Sequence, residues 1–218
     1  MKKAKDRIED IIARMKTAYP KSKTALMFET PLQILVATIL SAQCTDEQVN
    51  KITPALFRKY KTAADFANAD PRVFENEIRS TGFFRNKTKS IIGAAQKIVD
   101  DFGGQVPDRM EALITLPGVA RKTANIVLSS AYRKVEGIAV DTHVKRLSQR
   151  LGLSKENNPD KIERDLMRLI PKKDWIEFNY MLVNHGRQVC QARKPDCPGC
   201  VLNSLCPSAR VFFPGEFQ

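Results

Sequence analysis

Apolar residues recur every three to four positions along most of this 218-residue chain, which is the spacing of amphipathic helices. The pattern predicts about ten short helices and no convincing strand. Only residues 135–140 have extended character, and we interpret them as a connector. We therefore predict an all-α fold. The clearest apolar faces contain Ile8, Ile11, Ile12 and Met15; Leu32, Leu35, Val36, Ile39 and Leu40; Ile91, Ala95, Ile98, Val99 and Phe102; and Ala124, Val127, Leu128 and Ala131.

Residues typical of helix N-termini precede several of these faces. Thr45, followed three positions later by Gln48, has the form of a capping box. A short polar side chain followed by proline also favours a helix start. On these grounds the predicted helix starts are Thr30-Pro31, Thr45, Thr53-Pro54, Asp70-Pro71, Asn158-Pro159 and Asp174.

The composition favours a folded protein with an anionic partner. Hydrophobic residues make up 43% of the chain, which is enough to form a core. The 36 lysines and arginines exceed the 24 acidic residues, so the net charge is +12. This excess indicates nucleic acid or an anionic membrane as partner. Because no apolar run has the form of a signal peptide or approaches the roughly 20 residues of a membrane span, we expect a soluble intracellular protein.

The segment from Leu116 to Ala120 has the composition of a tight turn that leads into a helix. Its proline restricts one backbone angle, and Gly118 permits conformations that other residues avoid. The backbone N–H groups of such a turn form a concave donor site for a phosphate. Lys122 follows at the start of the helix, and Asp141 comes 19 residues later, before another predicted helix. A phosphate site, an amine and a carboxylate together indicate chemistry on a nucleic acid.

Four of the five cysteines lie close together near the C-terminus. Cys190, Cys197, Cys200 and Cys206 have the spacing C-x6-C-x2-C-x5-C, whereas Cys44 stands apart and is interpreted as a small buried apolar residue. In a reducing compartment such a cluster favours a metal site over disulfides. The spacing is compatible with structural zinc or with a [4Fe–4S] cluster, and less so with a redox C-x-x-C pair.

The combined motifs resemble those of endonuclease III, a family of bacterial DNA glycosylase/AP lyases in the helix-hairpin-helix superfamily. The resemblance extends from about Thr30 to Cys206 and implies that the cysteines hold a [4Fe–4S] cluster. In this family the cluster maintains the shape of a basic loop and is not the reaction centre. The motifs are Leu40-Ser41-Ala42-Gln43-Cys44-Thr45-Asp46, the segment from Leu116 to Ala124, Val140-Asp141-Thr142-His143-Val144, His185-Gly186-Arg187 and the four-cysteine loop.

The expected chemistry requires a nucleophile at the sugar of a damaged nucleotide. A neutral amine that attacks C1′ forms a Schiff base, and β-elimination then cuts the strand. We assign this role to Lys122. Asp141, if ionised near C1′, stabilises positive charge on the sugar. The alternative interpretation is that Asp141 only caps the helix that follows it. The resemblance favours the catalytic role for Asp141.

The resemblance also implies which residues fill the space in the duplex after a nucleotide is extruded. Gln43 is expected to fill the gap, and Phe83 to act as an apolar wedge, although Phe84 could exchange roles with it. His143 could orient the site. The family hairpin often ends in glycine where this chain has Ala120, a change that costs energy only if the position needs a positive φ. The candidate phosphate contacts are Gly118, Ala120, Arg121, Lys145, Arg146, Arg187, Arg193 and Lys194.

These inferences predict two helical lobes with a cleft between them and Lys122 and Asp141 on opposite sides. One lobe is residues 24–134 with the hairpin, and the other joins residues 1–23 to 135–218 with the cluster. The expected protein is a monomeric bacterial enzyme of the cytoplasm that excises oxidised pyrimidines from duplex DNA and cleaves abasic sites. The alternatives are a monofunctional glycosylase for mismatched adenine or thymine, a DNA-binding module without enzymatic activity, and an iron–sulfur electron carrier.

Overall fold

The computed structural model describes residues 3–20 and 22–214, and these residues contain α-helices and short 3₁₀ turns but no strand. The predicted all-α fold is therefore confirmed. The chain divides into two compact units, Met1–Lys23 with Gly137–Gln218 and Thr24–Glu136. The helices are α1 (Ala4–Ala18), α2 (Pro31–Leu40), α3 (Asp46–Lys59), α4 (Ala63–Ala67), α5 (Pro71–Glu77), α6 (Phe84–Phe102), α7 (Met110–Leu113), α8 (Arg121–Ala131), α9 (Thr142–Arg150), α10 (Pro159–Leu169), α11 (Trp175–Gln188) and α12 (Ala209–Phe212), and the 3₁₀ turns are Arg79–Thr81, Lys172–Asp174 and Asn203–Leu205.

Helix α2 lies at the centre of the unit Thr24–Glu136. Every residue from Ile34 to Leu40 is buried, which is typical of a helix surrounded by others. Helices α6 and α8 pack against α2, and α4 packs against α6. The buried face of α8 comprises Ala124, Asn125, Val127 and Leu128. This packing holds the first turn of α8, which carries Lys122, at a fixed place on the surface of the unit.

Helices α9 and α11 pack against each other in the second unit, and α1 contacts α10 and α11. Val144 and Leu147 on α9 are fully buried, as are Phe178 and Leu182 on α11. The packing positions two features of interest. Asp141 directly precedes α9, and the cysteine-containing loop begins with Cys190, just after α11 ends.

Most predicted helix starts are confirmed by hydrogen bonds to the backbone. The side chains of Thr30, Thr45, Asp70 and Asn158 each accept from an N–H group in the first turn of the helix that follows. Such bonds satisfy donors that have no partner within the helix. These starts were predictable because the N-cap interaction joins residues only two or three positions apart.

One predicted start is wrong, and another is confirmed in position but lacks a capping hydrogen bond. Thr53-Pro54 does not begin a helix, because Pro54 lies inside α3. Val49, Thr53 and Leu56 are buried on the same helix, and we attribute the continuation of the helix through the proline to this packing. Asp174 does precede α11, but it makes no capping hydrogen bond; its carboxylate accepts from Lys16 Nζ at 2.6 Å instead.

Candidate active site and cysteine loop

The turn before α8 requires glycine for two reasons. Gly118 has φ +75°, a conformation that strains residues with a side chain. A Cβ atom at this position would also lie 2.5 Å from Cβ of Ser90 on α6. The Val119 N–H closes the turn with a 3.1 Å hydrogen bond to the Leu116 carbonyl. The turn is therefore fixed by its own geometry and by contact with α6.

Ala120 is compatible with the turn. Its φ of −89° and ψ of 171° are extended, so the alanine carries no strain where the family often has glycine. Ala120 is the N-cap of α8 and supplies no side-chain cap. In residues 3–20 and 22–214, neither the Gly118 nor the Ala120 N–H has a hydrogen-bond acceptor. Both residues are exposed, so their amides are available to a phosphate.

Lys122 is exposed in the first turn of α8, two residues beyond Ala120. Its side chain makes no hydrogen bond or ion pair with any other described residue. Arg121 beside it is partly buried. The primary amine of Lys122 is thus accessible and uncommitted, close to the amides of the turn.

Asp141 forms the helix cap that its position predicted. Its Oδ1 accepts from the Val144 N–H at 2.8 Å, and the residue is half-buried. The other carboxylate oxygen has no donor among the described residues. Capping and a catalytic role are therefore compatible, because one oxygen orients the carboxylate and the other is left for a substrate.

Gln43 and Phe83 share an uncommon backbone conformation. Their φ angles are +53° and +47°, in the left-handed region that residues with a side chain seldom occupy. Both side chains are exposed, Phe83 by 60%. Phe84, in contrast, is partly buried against the core. Core packing is therefore excluded for Phe83, which is the better placed of the two to wedge into a duplex.

His143 and Arg146 face α11 within their own unit. Arg146 Nη2 lies 3.1 Å from His143 Nδ1 and donates to the Gly186 carbonyl at 2.9 Å. Arg146 also donates through Nε to the Cys190 carbonyl at 3.1 Å. Burial lowers the pKa of His143, while the Asp141 carboxylate opposes this effect. Arg146 therefore supports the cysteine loop, in addition to its predicted phosphate contact.

The remaining predicted DNA contacts lie on the surface of this unit. Arg187, Arg193 and Lys194 are exposed, and the latter two lie within the cysteine loop. Lys145 is half-buried on α9. This distribution leaves their charges accessible to phosphates.

None of the helices in the described part of the chain is long and apolar enough to cross a membrane.

The four C-terminal cysteines line one pocket. None is in a disulfide, and the pocket encloses about 410 Å³, part of it open to solvent. Burial raises the pKa of the Cys200 thiol to about 11, and it also raises those of Cys197 and Cys206. Among the described residues, no three cysteine, histidine or acidic side chains are placed to hold a single metal ion. Apolar and aromatic walls around the pocket are provided by Leu147, Leu151, Val189, Leu202 and Phe212.

Two N–H donors contact the sulfur atoms, one at Cys190 and one at Cys200. Arg150 Nη1 donates to Cys190 Sγ at 3.2 Å, and the Leu202 N–H donates to Cys200 Sγ at 3.4 Å. His185 Nε2 lies 3.4 Å from the same Cys200 sulfur. Such donors stabilise thiolates that ligate a metal centre. Four unpaired cysteines around one pocket, with N–H groups directed at sulfur, fit a cluster held by four thiolates.

Arg150 and His185 take part in this environment although the sequence patterns did not assign them there. The Arg150 guanidinium donates to the carbonyls of Gln191 and Ala192, each at 2.7 Å, and lies 4.6 Å from the centre of the Phe212 ring. The C-terminal segment thus packs against the loop as far as Phe212, whereas Phe217 lies outside the described residues. One sequence signal could have assigned Arg150 to the surroundings of the cysteine loop. It lies four residues after Arg146, and this spacing places both residues on one helix face.

Comparison with known proteins gives the family. The family model described as "HhH-GPD superfamily base excision DNA repair protein" matches residues 36–172. Endonuclease III of Synechocystis sp. is 58% identical over 211 residues, which cover 97% of this chain and 96% of that protein. The chain belongs to the endonuclease III family. The resemblance inferred from the motifs is therefore confirmed.

Solved structures agree with this assignment. A structure of a trapped endonuclease III–DNA covalent intermediate, an estranged-adenine complex, matches with a TM-score of 0.91 at 39% identity, covering 95% of this chain and 97% of the other. A thermostable thymine-DNA glycosylase has a TM-score of 0.85 at 24% identity, covering 94% and 98%. The second match shows the fold alone, so the fold does not separate the endonuclease III family from other glycosylases.

Proposed function

We propose that Lys122 and Asp141 carry the chemistry of this chain, a bifunctional DNA glycosylase and AP lyase of base excision repair, and that its substrates are oxidised pyrimidines in duplex DNA. The observation that supports Lys122 most directly is its exposed, uncommitted amine beside amides that lack acceptors. A phosphate bound to those amides would bring the sugar of its nucleotide to the amine. The related endonuclease III trapped covalently on DNA supports a nucleophilic mechanism.

In the proposed reaction, the neutral Lys122 amine attacks C1′ of the extruded nucleotide, and the C1′–N bond to the base breaks. The base leaves with the bonding electrons and acquires a proton. The nitrogen then loses its protons as the bond between C1′ and the ring oxygen opens, and the oxygen takes up a proton to leave an imine. Loss of a C2′ proton forms a C2′=C3′ double bond and expels the 3′ phosphate, which cuts the strand.

Asp141 stabilises the positive charge that develops on the sugar as the base departs. An ionised carboxylate placed near C1′ favours this charge more in the transition state than in the ground state. Its hydrogen bond from the Val144 N–H holds the carboxylate in one orientation. We propose that Lys122 and Asp141 act on the same deoxyribose.

We further propose that Cys190, Cys197, Cys200 and Cys206 bind a [4Fe–4S] cluster. When bound, the cluster supplies four linked attachment points for the loop and takes no part in base excision. Arg193 and Lys194 would then be held on a rigid loop, where phosphate binding costs less ordering entropy. The pocket lined by all four cysteines supports this assignment. Visible absorption of the purified protein distinguishes iron from colourless zinc.

Gln43 and Phe83 are proposed to occupy the gap left by the extruded nucleotide. Both are exposed on strained turns, and an aromatic ring stacks well on bases. The hairpin amides and the basic residues supply phosphate contacts. We expect the enzyme to act as a monomer on DNA in the bacterial cytoplasm.

Borohydride trapping on a duplex with one abasic site tests the nucleophile. The wild-type enzyme should give a covalent adduct, and Lys122→Gln should give none while its affinity for a duplex with a tetrahydrofuran abasic analogue changes by less than about threefold. Lys51→Gln, which alters an exposed lysine paired with Glu47, is the matched control and should trap normally.

An adduct formed by Lys122→Gln would show that another amine is the nucleophile. No adduct from the wild type would instead favour the monofunctional glycosylase or the DNA-binding module. Activity on duplexes that contain thymine glycol, compared with A·G and G·T mismatches, tests the proposed substrate class.

A further inference from the structure

Lys87 is a buried lysine that the proposed chemistry does not use. It lies on α6 with 4% of its surface exposed. Its Nζ donates to the Leu40 carbonyl at 2.7 Å and to the Thr81 carbonyl at 2.8 Å. An ammonium group is costly to bury, so its position depends on these two acceptors. Because Lys87 is buried and hydrogen-bonded, it is not available to attack a sugar.

The two carbonyls belong to the ends of two helical segments. Leu40 is the last residue of α2, and Thr81 is the last residue of the 3₁₀ turn Arg79–Thr81. Carbonyls at such ends lack partners within the helix, and a positive charge there is favourable. Burial lowers the pKa of Lys87, and the nearby Cys44 opposes this effect. One ammonium group thus joins two chain segments that are distant in sequence.

Each segment leads directly to one of the exposed residues proposed to enter DNA. Gln43 follows Leu40 by three positions, and Phe83 follows Thr81 by two. Between Thr81 and Phe83, Gly82 has φ +70° and ψ 161°, which is a conformation essentially restricted to glycine. The two exposed residues therefore protrude from short, strained turns. Each turn begins just after a carbonyl group that is hydrogen-bonded to Lys87.

A second hydrogen bond links the same two regions. Gln48 Nε2, in the first turn of α3, donates to Ser80 Oγ at 2.8 Å. This bond is exposed, whereas both bonds of Lys87 are buried. Buried hydrogen bonds to a charged donor are stronger than neutral bonds in water, so the bonds of Lys87 join the two regions more firmly than the Gln48 bond does.

We propose that Lys87 is a positioning residue that holds the turns of Gln43 and Phe83 in one fixed arrangement, so that both side chains enter the duplex as a single rigid unit. This inference rests on the gap-filling roles given to these two residues under the proposed function. Pre-organisation of the two turns reduces the ordering cost that would otherwise oppose extrusion of the nucleotide.

A double-mutant cycle with the full-length, cluster-loaded protein tests this role. We expect Lys87→Met to lower kcat/KM for excision from a duplex with one thymine glycol by roughly tenfold. In a background that carries Gln43→Ala and Phe83→Ala, the same substitution should lower it by less than about twofold, because the residues through which Lys87 acts are absent. A purely structural role would give the same factor in both backgrounds.

Lys134→Met is the matched control. Lys134 donates from the surface to the carbonyl of Asp108 at 3.0 Å and to its carboxylate at 2.5 Å. It therefore also joins two segments, but it has no bond to either protruding turn. Its substitution should leave excision unchanged. If Lys87→Met does not fold, Lys87→Gln retains a shorter neutral donor and serves in the same cycle, with an intermediate loss expected.

A fluorescence measurement provides a readout that stability alone would not change. With 2-aminopurine opposite a tetrahydrofuran abasic analogue, the wild type should alter the fluorescence of the partner base on binding, and Lys87→Met should reduce that change at saturating protein. Equal losses of excision in the two backgrounds, or an unaltered fluorescence change, would overturn the role of Lys87. If Gln43→Ala and Phe83→Ala had no effect by themselves, the gap-filling roles would be wrong and this inference would fall with them.

Discussion

Substitution of Gly118 by alanine is predicted to distort the phosphate-binding turn. Two separate costs arise at this position. The backbone angle φ of +75° is unfavourable for any residue with a Cβ atom, and the new Cβ would lie 2.5 Å from Cβ and 2.7 Å from Oγ of Ser90. The 2.5 Å contact with Ser90 Cβ is much shorter than real Cβ contacts. It involves an atom attached directly to the α6 backbone, so a rotamer change of Ser90 cannot relieve it.

The two costs can be estimated separately. The left-handed conformation costs about 1–2 kcal/mol in an alanine. Forcing an extra methyl group into a packed contact costs about 1–3 kcal/mol. We therefore expect Gly118→Ala to lower the free energy of unfolding by about 2–5 kcal/mol. Part of this loss can be avoided if the turn moves away from α6, and such a movement would weaken phosphate binding.

Gly103→Ala is the control that carries only the backbone cost. Gly103 has φ +58° at the end of α6, and a Cβ atom there would meet nothing within 4 Å. Urea unfolding should show a loss of about 1–2 kcal/mol for this variant. Affinity for a duplex with a tetrahydrofuran abasic analogue should fall for Gly118→Ala and stay unchanged for Gly103→Ala.

Ser90→Gly completes the experiment by removing the atoms that the new methyl group would meet. Glycine within a helix costs about 1 kcal/mol by itself, which the double-mutant cycle subtracts. In the Ser90→Gly background, Gly118→Ala should cost no more than Gly103→Ala. If Gly118→Ala is as mild as Gly103→Ala in the wild-type background, then close packing against α6 does not constrain this turn.

Three further predictions concern other parts of the site. Phe83→Ala should lower kcat/KM for excision with stability within about 0.5 kcal/mol of wild type, whereas Phe84→Ala should lower the urea midpoint because its ring packs on the core. Asp141→Asn should keep the hydrogen bond from the Val144 N–H and the wild-type stability but lose excision. Asp141→Ala should lose excision and also about 1 kcal/mol of stability, because the cap is removed. Equal excision by Asp141→Asn and wild type would restrict Asp141 to capping. Arg150→Met should speed the loss of visible absorption during titration with an iron chelator, and an unchanged rate would show that its bonds to the loop do not protect the cluster.

Much of the helical structure was predictable because the interactions that produce it are local. The apolar face of α1 at Ile8, Ile11, Ile12 and Met15 repeats with the helical period, and all four residues are buried. A helix start at Asp70 depends on bonds to N–H groups two and three residues away. The candidate site was also indicated by motifs. Gly118 and Lys122 belong to one short segment of sequence, and the cysteine loop is another.

Other properties depend on contacts between residues far apart in the chain, which periodicity and spacing do not reveal. Pro54 lies within α3, which buries Val49, Thr53 and Leu56. Lys87 is buried because the carbonyls of Leu40 and Thr81 accept from its ammonium group there. The absence of strain at Ala120 was likewise decided by the backbone path into α8. Packing and hydrogen bonds across the fold are worth several kcal/mol, more than the local preferences they override. For this reason the residue types and their order indicated the chemistry, whereas the tertiary structure determined which side chains are free to perform it and which hold them in place.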